Sequence, residues 1–159
     1  LLVTLQSIGD GVITADMDGR VEYLNPAATK MTRWTLDHAK GTPLQEVFVV
    51  VDEHRDRRLP DLVKLITHRG KTLQLHDNSV LINLGGERFF IELAASPLKD
   101  QKGNMMGIVV VFHNTTERRR LISKLSHHAT HDSLTHLVNR YEFENRLSQA
   151  LDSAKEEGV

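Results

Sequence analysis

The sequence contains no cysteine among its 159 residues. This absence excludes disulfides, thiolate metal sites, thiol nucleophiles and the cysteinyl flavin chemistry of light sensors. It is also typical of a chain that works in a reducing compartment. We therefore expect a cytoplasmic location.

The net charge is also close to zero, because the sequence has 20 basic and 21 acidic residues and therefore a formal charge of −1. No global field exists that would attract nucleic acid or an anionic membrane surface. The basic triplet Arg118-Arg119-Arg120 is interpreted as a solvated helix face. We expect neither nucleic acid nor a membrane as a partner of this chain.

Long apolar segments are missing as well. No run approaches the roughly 20 apolar residues that a helix needs to cross a bilayer. The chain begins at Leu1 rather than at a methionine, so we expect a fragment of a longer protein. A membrane anchor of the parent protein would then lie outside these residues.

Hydrophobic spacing and turn residues predict the first elements of the chain. Apolar residues at helical spacing predict a short helix over residues 1–8. Strand-like runs follow at 12–15 and 21–24, and the Asp and Gly residues of 16–19 suit a tight turn between them. The sequence therefore predicts a helix followed by a β-hairpin.

Helices are predicted in the middle of the chain. Asn25-Pro26 suits the cap and first turn of a helix, and short helices should continue to Phe48. The run 52–58 is too polar to be buried and is interpreted as a solvated loop. Apolar positions over 59–66, followed by Gly70, predict an amphipathic helix.

Three extended segments, 80–83, 88–95 and 106–113, predict an antiparallel meander. The pentapeptide Gly85-Gly86-Glu87-Arg88-Phe89 is interpreted as the turn between the first two of them. Two strands, a cluster of helices and three more strands describe an α+β domain whose helices cover one face of its sheet.

Several short sequence motifs resemble those of the PAS sensor family and occur in the same order along the chain. They are Gly11-Val12-Ile13-Thr14, Asp18-Gly19-Arg20-Val21, Leu24-Asn25-Pro26-Ala27-Ala28, the run 107–112, and Thr116-Glu117-Arg118. The resemblance covers residues 1–118. It implies a PAS fold, with a five-stranded antiparallel sheet, helices on one face and a C-terminal signalling helix. The family commonly has Asp where this chain has Asn114. Asn can still cap a helix, but its neutral hydrogen bonds are about half as strong as those of a carboxylate.

A second resemblance lies near the C-terminus. The residues of 132–140 resemble the opening of GGDEF domains, which make cyclic di-GMP, at Asp132, Leu134, Thr135, Leu137, Asn139 and Arg140. Only 19 residues follow Arg140. We therefore expect a PAS sensor domain over 1–114, a helical connector over 115–130 and the start of a GGDEF domain over 131–159.

The two resemblances together imply a sensory and dimerisation module of a bacterial cyclic di-GMP signalling protein. The parent would be a diguanylate cyclase, a cyclic di-GMP phosphodiesterase or both. Gly85-Gly86-Glu87-Arg88-Phe89 superficially resembles the cyclase signature, but it precedes the GGDEF opening, and Arg88 puts a cation where a metal-binding or catalytic acid is needed. We expect no catalytic residues and no enzyme activity in the fragment.

A ligand cavity of a PAS domain would lie between its helices and the inner face of its sheet. Candidate lining residues by position are Trp34, Phe48, Leu62, Ile66, Leu81, Phe90 and Ile108, although the same residues describe an ordinary packed core. Trp34 follows Arg33, where many members of the family have glycine. A flavin or another small molecule stays open as a ligand.

Histidines suggest two further sites, neither of which we expect to be filled. His127 and His131 share a helix face, as zinc ligands do, but no carboxylate or cysteine completes a set. His68 is the nearest candidate for haem, and it lies at a helix end without a second axial ligand. We expect no metal and no haem.

The connector is predicted to be helical over 116–130, with an apolar seam that includes Leu121 and Leu125. It could form a short parallel coiled coil in a homodimer, or pack on its own domain. The resemblance favours transmission of a signal through Asn114, Thr116, Glu117, Leu121 and Leu125. The alternative is a constitutive dimerisation scaffold with no bound ligand. A last amphipathic helix is predicted from Phe143 onward.

Overall fold

The structure is a computed structural model in which residues 9–131 and 134–156 are described. The helix predicted over residues 1–8 therefore lies outside the described residues, as does Asp132. The chain divides into two compact units, Leu1–Thr116 and Glu117–Val159. Each unit is described by itself.

The first unit contains a six-stranded antiparallel sheet in the order β2-β1-β6-β5-β4-β3. Its strands are β1 (Gly11–Asp16), β2 (Val21–Leu24), β3 (Val49–Asp52), β4 (Leu73–Ile82), β5 (Arg88–Lys99) and β6 (Met105–Asn114). Its helices are α1 (Pro26–Thr32), α2 (Leu36–Ala39), α3 (Leu44–Val47) and α4 (Leu62–Arg69). The α+β class and the antiparallel sheet are confirmed.

The strand count is corrected from five to six. Strand β3 was not predicted, because its three valines lie between a predicted helix end and a polar loop and are too few to show alternation. It pairs with β4, joining Val50 to Leu81 and Val51 to Val80. Strand β4 is also longer than the predicted 80–83, because an irregularity between Leu75 and Ser79 interrupts its pattern.

Both edge strands form backbone hydrogen bonds with loop segments of the same chain. At the β2 edge, the Val21 amide donates to the Thr42 carbonyl over 2.9 Å, and the Gly41 amide donates to the Val21 carbonyl over 2.8 Å. At the β3 edge, the Asp52 amide donates to Arg57 and the Leu59 amide to Val50. Loop segments thus cover backbone groups that an edge strand would otherwise present to solvent.

The helix boundaries follow from their caps. The Asn25 side chain accepts the Ala28 amide, and Pro26 begins α1 as predicted. The Asp61 carboxylate accepts the amides of Val63 and Lys64 at the start of α4. Gly70 ends α4 at φ 60°, a left-handed conformation that glycine adopts without strain.

The core lies between the helices and one face of the sheet. On β5 the inward positions are Ile91, Leu93 and Ala95, and on β6 they are Ile108, Val110 and Phe112. The helices add Ala28, Ala39, Leu44, Val47, Leu62, Val63 and Ile66. Because side chains alternate along each strand, one face of the sheet points toward the helices and the other face points outward.

The second unit contributes two helices, α5 (Thr116–Thr130), whose first residue belongs to the first unit, and α6 (Arg140–Glu156). The Asn139 side chain accepts the Glu142 amide over 2.9 Å and so caps α6. Ion pairs one turn apart, Arg140 with Glu144 and Arg146 with Glu142, support the helix. Among the described residues, none of the helices combines the length and the hydropathy that a membrane crossing requires.

Candidate functional site: the sheet interior and the exit junction

Five of the predicted pocket residues lie in the core. Phe48, Leu62, Ile66, Leu81 and Ile108 are all buried and belong to one apolar cluster. Helices α3 and α4 supply the first three, and strands β4 and β6 supply the other two. The structure thus brings together the set expected between helices and sheet.

Phe90 is the exception and requires a correction. Its neighbours Phe89 and Ile91 face the core, and Phe90 pairs with Val80 on the opposite face of the sheet. Successive residues of a strand point to opposite faces. Three consecutive apolar residues gave no indication of which one points inward. Phe90 therefore cannot line a cavity between the helices and the sheet.

Two aromatic rings contact each other within this interior. The ring centroids of Phe48 and Phe112 lie 4.7 Å apart, with their planes inclined by 47°. Phe112 is fully buried, and its ring occupies the space beside Gly11 where any Cβ would collide with it. Sequence reasoning placed Phe112 in a strand but did not identify it as the residue that fills the interior. Gly11, which lies opposite Phe112 on the neighbouring strand, was the sequence feature that could have indicated this position of the ring.

A surface cavity of about 260 Å³ lies where α3 and α4 approach β3 and the β1–β2 turn. Apolar side chains line its floor: Leu44, Phe48, Val50, Leu62 and Val63. Polar side chains line its rim: Asp18, Gln45, Arg58 and Asp61. Ligand pockets usually measure about 300–1,000 Å³. This cavity could accept only a small molecule with an apolar part, and of the predicted pocket residues only Phe48 and Leu62 reach it.

Trp34 is half-buried and packs against the edge of the core. It lines a separate surface groove of about 420 Å³, together with Val49, Val51, Leu84 and Arg88. Arg88 also pairs with Asp56 over 3.1 Å. The indole thus borders the β3 edge of the sheet.

The exit from the sheet is held by three hydrogen bonds. The Asn114 side chain accepts the Thr116 amide over 2.9 Å, so Asn provides the predicted cap at the start of α5. The Thr115 amide donates to the Phe90 carbonyl over 2.8 Å, and the Phe90 amide donates to the Thr116 hydroxyl over 2.9 Å. We call these contacts of Phe90, Asn114, Thr115 and Thr116 the exit junction.

The exit junction adjoins the β4–β5 turn, which is itself fastened to α1. Arg33 pairs with Glu87 over 2.9 Å, and the Leu84 amide donates to the Thr32 carbonyl over 3.1 Å. Arg33 has φ 62°, a left-handed conformation in which glycine is unstrained. This explains the glycine that many PAS domains have there. Sequence reasoning identified the turn but not its attachment to α1, because the contact spans more than 50 residues.

Metal ligands do not converge in the described part of the chain, where no three His, Asp or Glu side chains could hold an ion together. The rings of His127 and His131 stack at 4.2 Å between centroids, as their helical spacing implies. His68 occupies the last turn of α4, next to the end at Gly70.

Two exposed carboxylates have lowered pKa values. The backbone amides of Arg55 and His54 donate to Asp52 and hold the pKa of that carboxyl below its ordinary value. The backbone amide of Asn104, assisted by its side chain, does the same for Asp100. Both carboxylates organise turns, after β3 and between β5 and β6. Their environment stabilises the charged form and does not suit acid–base catalysis.

Of the described residues that resemble the GGDEF opening, Leu134, Thr135, Leu137 and Asn139 lie between the two helices of the second unit. Asn139 and Arg140 begin α6, and a bridge joins His131 to Val138. The amide of Leu137 donates to the Thr135 hydroxyl over 3.4 Å. Leu134 and Leu137 are exposed. The motif therefore forms a capped helix start whose apolar residues face solvent.

An antiparallel sheet with helices on one face and a helix leaving its last strand defines a sensor-type α+β domain. The PAS fold family matches residues 5–120. The chain belongs to this family. The PAS domain of a protein from Colwellia psychrerythraea has a TM-score of 0.56 at 15% identity, covering 73% of this chain and 94% of that one.

Two curated relatives extend the comparison. The probable diguanylate cyclase DgcE of Escherichia coli (strain K12) is 33% identical over 147 residues, which cover 92% of this chain and 13% of that protein. The cyclic di-GMP phosphodiesterase PdeB of Shewanella oneidensis is 27% identical over 154 residues, covering 96% of this chain and 17% of that protein. The chain is a PAS sensory domain related to cyclic di-GMP signalling proteins, and it spans less than a fifth of either relative.

Proposed function

We propose that this chain is the sensory and dimerisation module of a bacterial cyclic di-GMP signalling protein. It passes a signal through α5 to a GGDEF output domain of its parent. Two chains pair through their α5 helices, and the arrangement of each PAS sheet sets the geometry of the pair. Pairing geometry matters because a cyclase needs two GGDEF domains that face each other.

The exit junction is the observation that carries this proposal. Both backbone groups of Phe90, on β5, bond to the first residues after β6. A shift of β5 relative to β6 must therefore move or break the bonds at the start of α5. The junction gives a strand displacement a direct physical route to the helix, which a flexible linker would not.

The relatives support the cyclic di-GMP assignment. A match that covers 92% of this chain necessarily continues beyond residue 120, where the PAS family match ends. The similarity to the diguanylate cyclase thus includes the segment whose residues resemble a GGDEF opening.

Dimerisation is supported by the exposed apolar side chains of α5. Leu121 is 50% exposed and Leu125 is 70% exposed, and Ile122 lies beside them. Apolar residues three and four positions apart form the seam of a coiled coil when a second helix covers them. The helix has 15 residues, so the seam is too short to be stable without help from the PAS surfaces.

The scaffold alternative has its own support. Phe48 and Phe112 fill the interior, and the cavity beside α3 and α4 is small. A domain with a filled interior could dimerise constitutively and bind no ligand. The scaffold and the sensor differ in whether purified protein retains a small molecule.

Native mass spectrometry of the freshly purified chain tests pairing and ligand together. A dimer that carries a stoichiometric extra mass supports the sensor, and a bare dimer supports the scaffold. Leu125→Asp should reduce the dimer fraction, because it places a charge in the apolar seam. Ser123→Asp adds the same charge at a neighbouring position and should leave the dimer intact. A bare monomer in the unmodified chain would contradict the dimerisation proposal.

Transmission is tested in a chimera in which this chain replaces the matching segment of the E. coli relative. Thr116→Val removes the acceptor of the Phe90 amide, whereas Thr116→Ser retains it. We expect Val to change cyclic di-GMP output by about 5-fold or more, which is the lower end of ordinary allosteric coupling. Ser should keep the output of the unmodified chimera. Equal outputs from Val and Ser would rule out the exit junction as the route.

A further inference from the structure

Four titratable side chains form a row across the outward face of the sheet. Strand pairing places Glu92 beside His113, and Asp10 immediately precedes β1, where Gly11 pairs with Phe112. His76, on β4, lines the same depression of about 160 Å³ as the other three. We call Asp10, His113, Glu92 and His76 the outer-face row.

One bond in the outer-face row joins the end of β6 to the residue that precedes β1, its neighbour in the sheet. His113 Nδ1 lies 2.5 Å from Asp10 Oδ1, across 103 positions of sequence. A carboxylate can only accept, so Nδ1 carries the proton and donates. The Asp10 carbonyl accepts the Asn25 side-chain amide over 2.9 Å. His113 directly precedes Asn114, the cap of α5. The bond therefore ties the start of β1 to the exit junction.

Two carboxylates flank the imidazole of His113. Asp10 faces it from the β1 side and Glu92 faces it from β5, while His76 on β4 is the other titratable group that lines the depression. Histidine changes charge between about pH 5 and 8. Protonation converts the bond to Asp10 into a charge-assisted one, and such bonds are about twice as strong as neutral ones. His113 is 58% exposed and Asp10 31%, so solvent can deliver the proton and also moderates the effect.

We propose that the outer-face row is a proton-binding site through which the domain responds to pH. Protonation of His113 tightens its bond to Asp10 and holds the exit junction closed, and deprotonation loosens it. This inference deepens the proposed function, since it rests on transmission through the exit junction and names the proton as an input. The site lies on the face of the sheet opposite the core, away from the cavity beside α3 and α4.

Amide hydrogen exchange at residues 114–117 of the whole chain tests the proposal, with rates corrected for their intrinsic pH dependence. We expect protection of these amides to be roughly two- to fivefold greater near pH 5.5 than near pH 8, the range of an exposed ion pair. His113→Gln and Asp10→Asn should each abolish that difference. His68→Gln removes an exposed histidine at the end of α4 and should preserve it.

A pH difference that survives in both His113→Gln and Asp10→Asn would overturn the proposal. Should the variants unfold, nitrogen chemical shifts of the His113 ring in the unmodified chain decide instead. A ring that keeps one protonation state between about pH 5 and 8 excludes the switch. The two proposals fail separately. Loss of the Thr116 effect in the chimera leaves this exchange result standing, and a missing pH response leaves the Thr116 effect intact.

Discussion

Asn25 joins three parts of the domain with one side chain. Its Oδ1 accepts the Val12 amide over 2.9 Å and the Ala28 amide over 2.8 Å, and its Nδ2 donates to the Asp10 carbonyl. The residue is fully buried. It therefore connects α1 to β1 and to the residue that bonds His113.

Asn25→Ala should destabilise the domain by about 2–4 kcal/mol, because it leaves buried backbone donors and an acceptor without partners. Urea unfolding followed by fluorescence of the single tryptophan, Trp34, measures the change. Asn104→Ala, in an exposed turn, is the matched control and should cost less than about 1 kcal/mol. Equal losses from the two variants would show that the Asn25 network contributes nothing beyond an ordinary cap.

Asp100 offers a test by pH. Its turn amides lower the pKa in the folded domain, so the charged carboxylate adds stability above the unfolded pKa, and that stability is lost as the pH falls through the folded pKa. Asp100→Asn should therefore be less stable than the unmodified chain at neutral pH, with the difference shrinking below about pH 4. Urea midpoints at several pH values measure it. A difference that widened on acidification would reverse the assignment.

The sequence predicts caps at residue scale better than long-range contacts. Asn25, Asn114 and Gly70 all act at helix ends as predicted, because a cap involves residues within three or four positions. The bond of Asn25 to Asp10 and the pair of Arg33 with Glu87 were not predicted. They depend on which strands become neighbours, and that depends on the whole sheet.

Strand β6 approaches β1 closely at Gly107. A Cβ there would collide with the carbonyl oxygen of Ala15, a backbone atom that the β1–β6 pairing holds in place. This is a spatial constraint on the residue type, independent of backbone conformation. The pairing of the two strands therefore requires glycine at this position.

Gly107→Ala should destabilise the domain by about 1–3 kcal/mol, the usual cost of overpacking. Gly9→Ala is the matched control, since among the described residues, apart from its chain neighbours, no atom lies within 4 Å of its Cβ position, and it should stay within about 0.5 kcal/mol. Chemical denaturation of both variants gives the comparison. A stable Gly107→Ala domain would mean that β1 can move away from β6 at little cost.

Strand boundaries were predicted less well than helix ends. Strand β4 spans ten residues, but Gln74 and His76 face outward and the irregularity before Ser79 shifts the pattern. On β5, Phe89, Phe90 and Ile91 are all apolar, so periodicity could not determine the phase. The pairing of β5 with β4 and β6 decides it, and local sequence does not contain that information.

Phe112 controls how full the interior of the domain is. Phe112→Ala should cost about 3–5 kcal/mol, the usual penalty for truncating a buried aromatic residue. Phe143→Ala, on the exposed face of α6, should change stability by less than about 0.5 kcal/mol. Urea unfolding measures both. An unchanged midpoint for Phe112→Ala would mean that the interior is not packed around this ring, and the scaffold alternative would lose its support.

At the scale of the molecule, short sequence motifs identified the fold and the order of its helices and strands. The PAS resemblance over 1–118 agrees with a family match over 5–120. They could not reveal whether the interior is open. A list of apolar residues at the right positions describes a lined cavity and a packed core equally well. The contact between Phe48 and Phe112 is an observation of the structure that favours packing in the interior.

The covered edges of the sheet have a consequence for a chain with several domains. Domains tethered in one polypeptide experience effective concentrations near the millimolar range, and open strand edges would then join neighbouring sheets into a continuous ribbon. Here the segments at Gly41–Thr42 and Arg57–Leu59 already occupy backbone groups of β2 and β3. Those backbone groups are not available to a strand of another copy, so crowded copies of this domain have fewer edge positions at which their sheets could join.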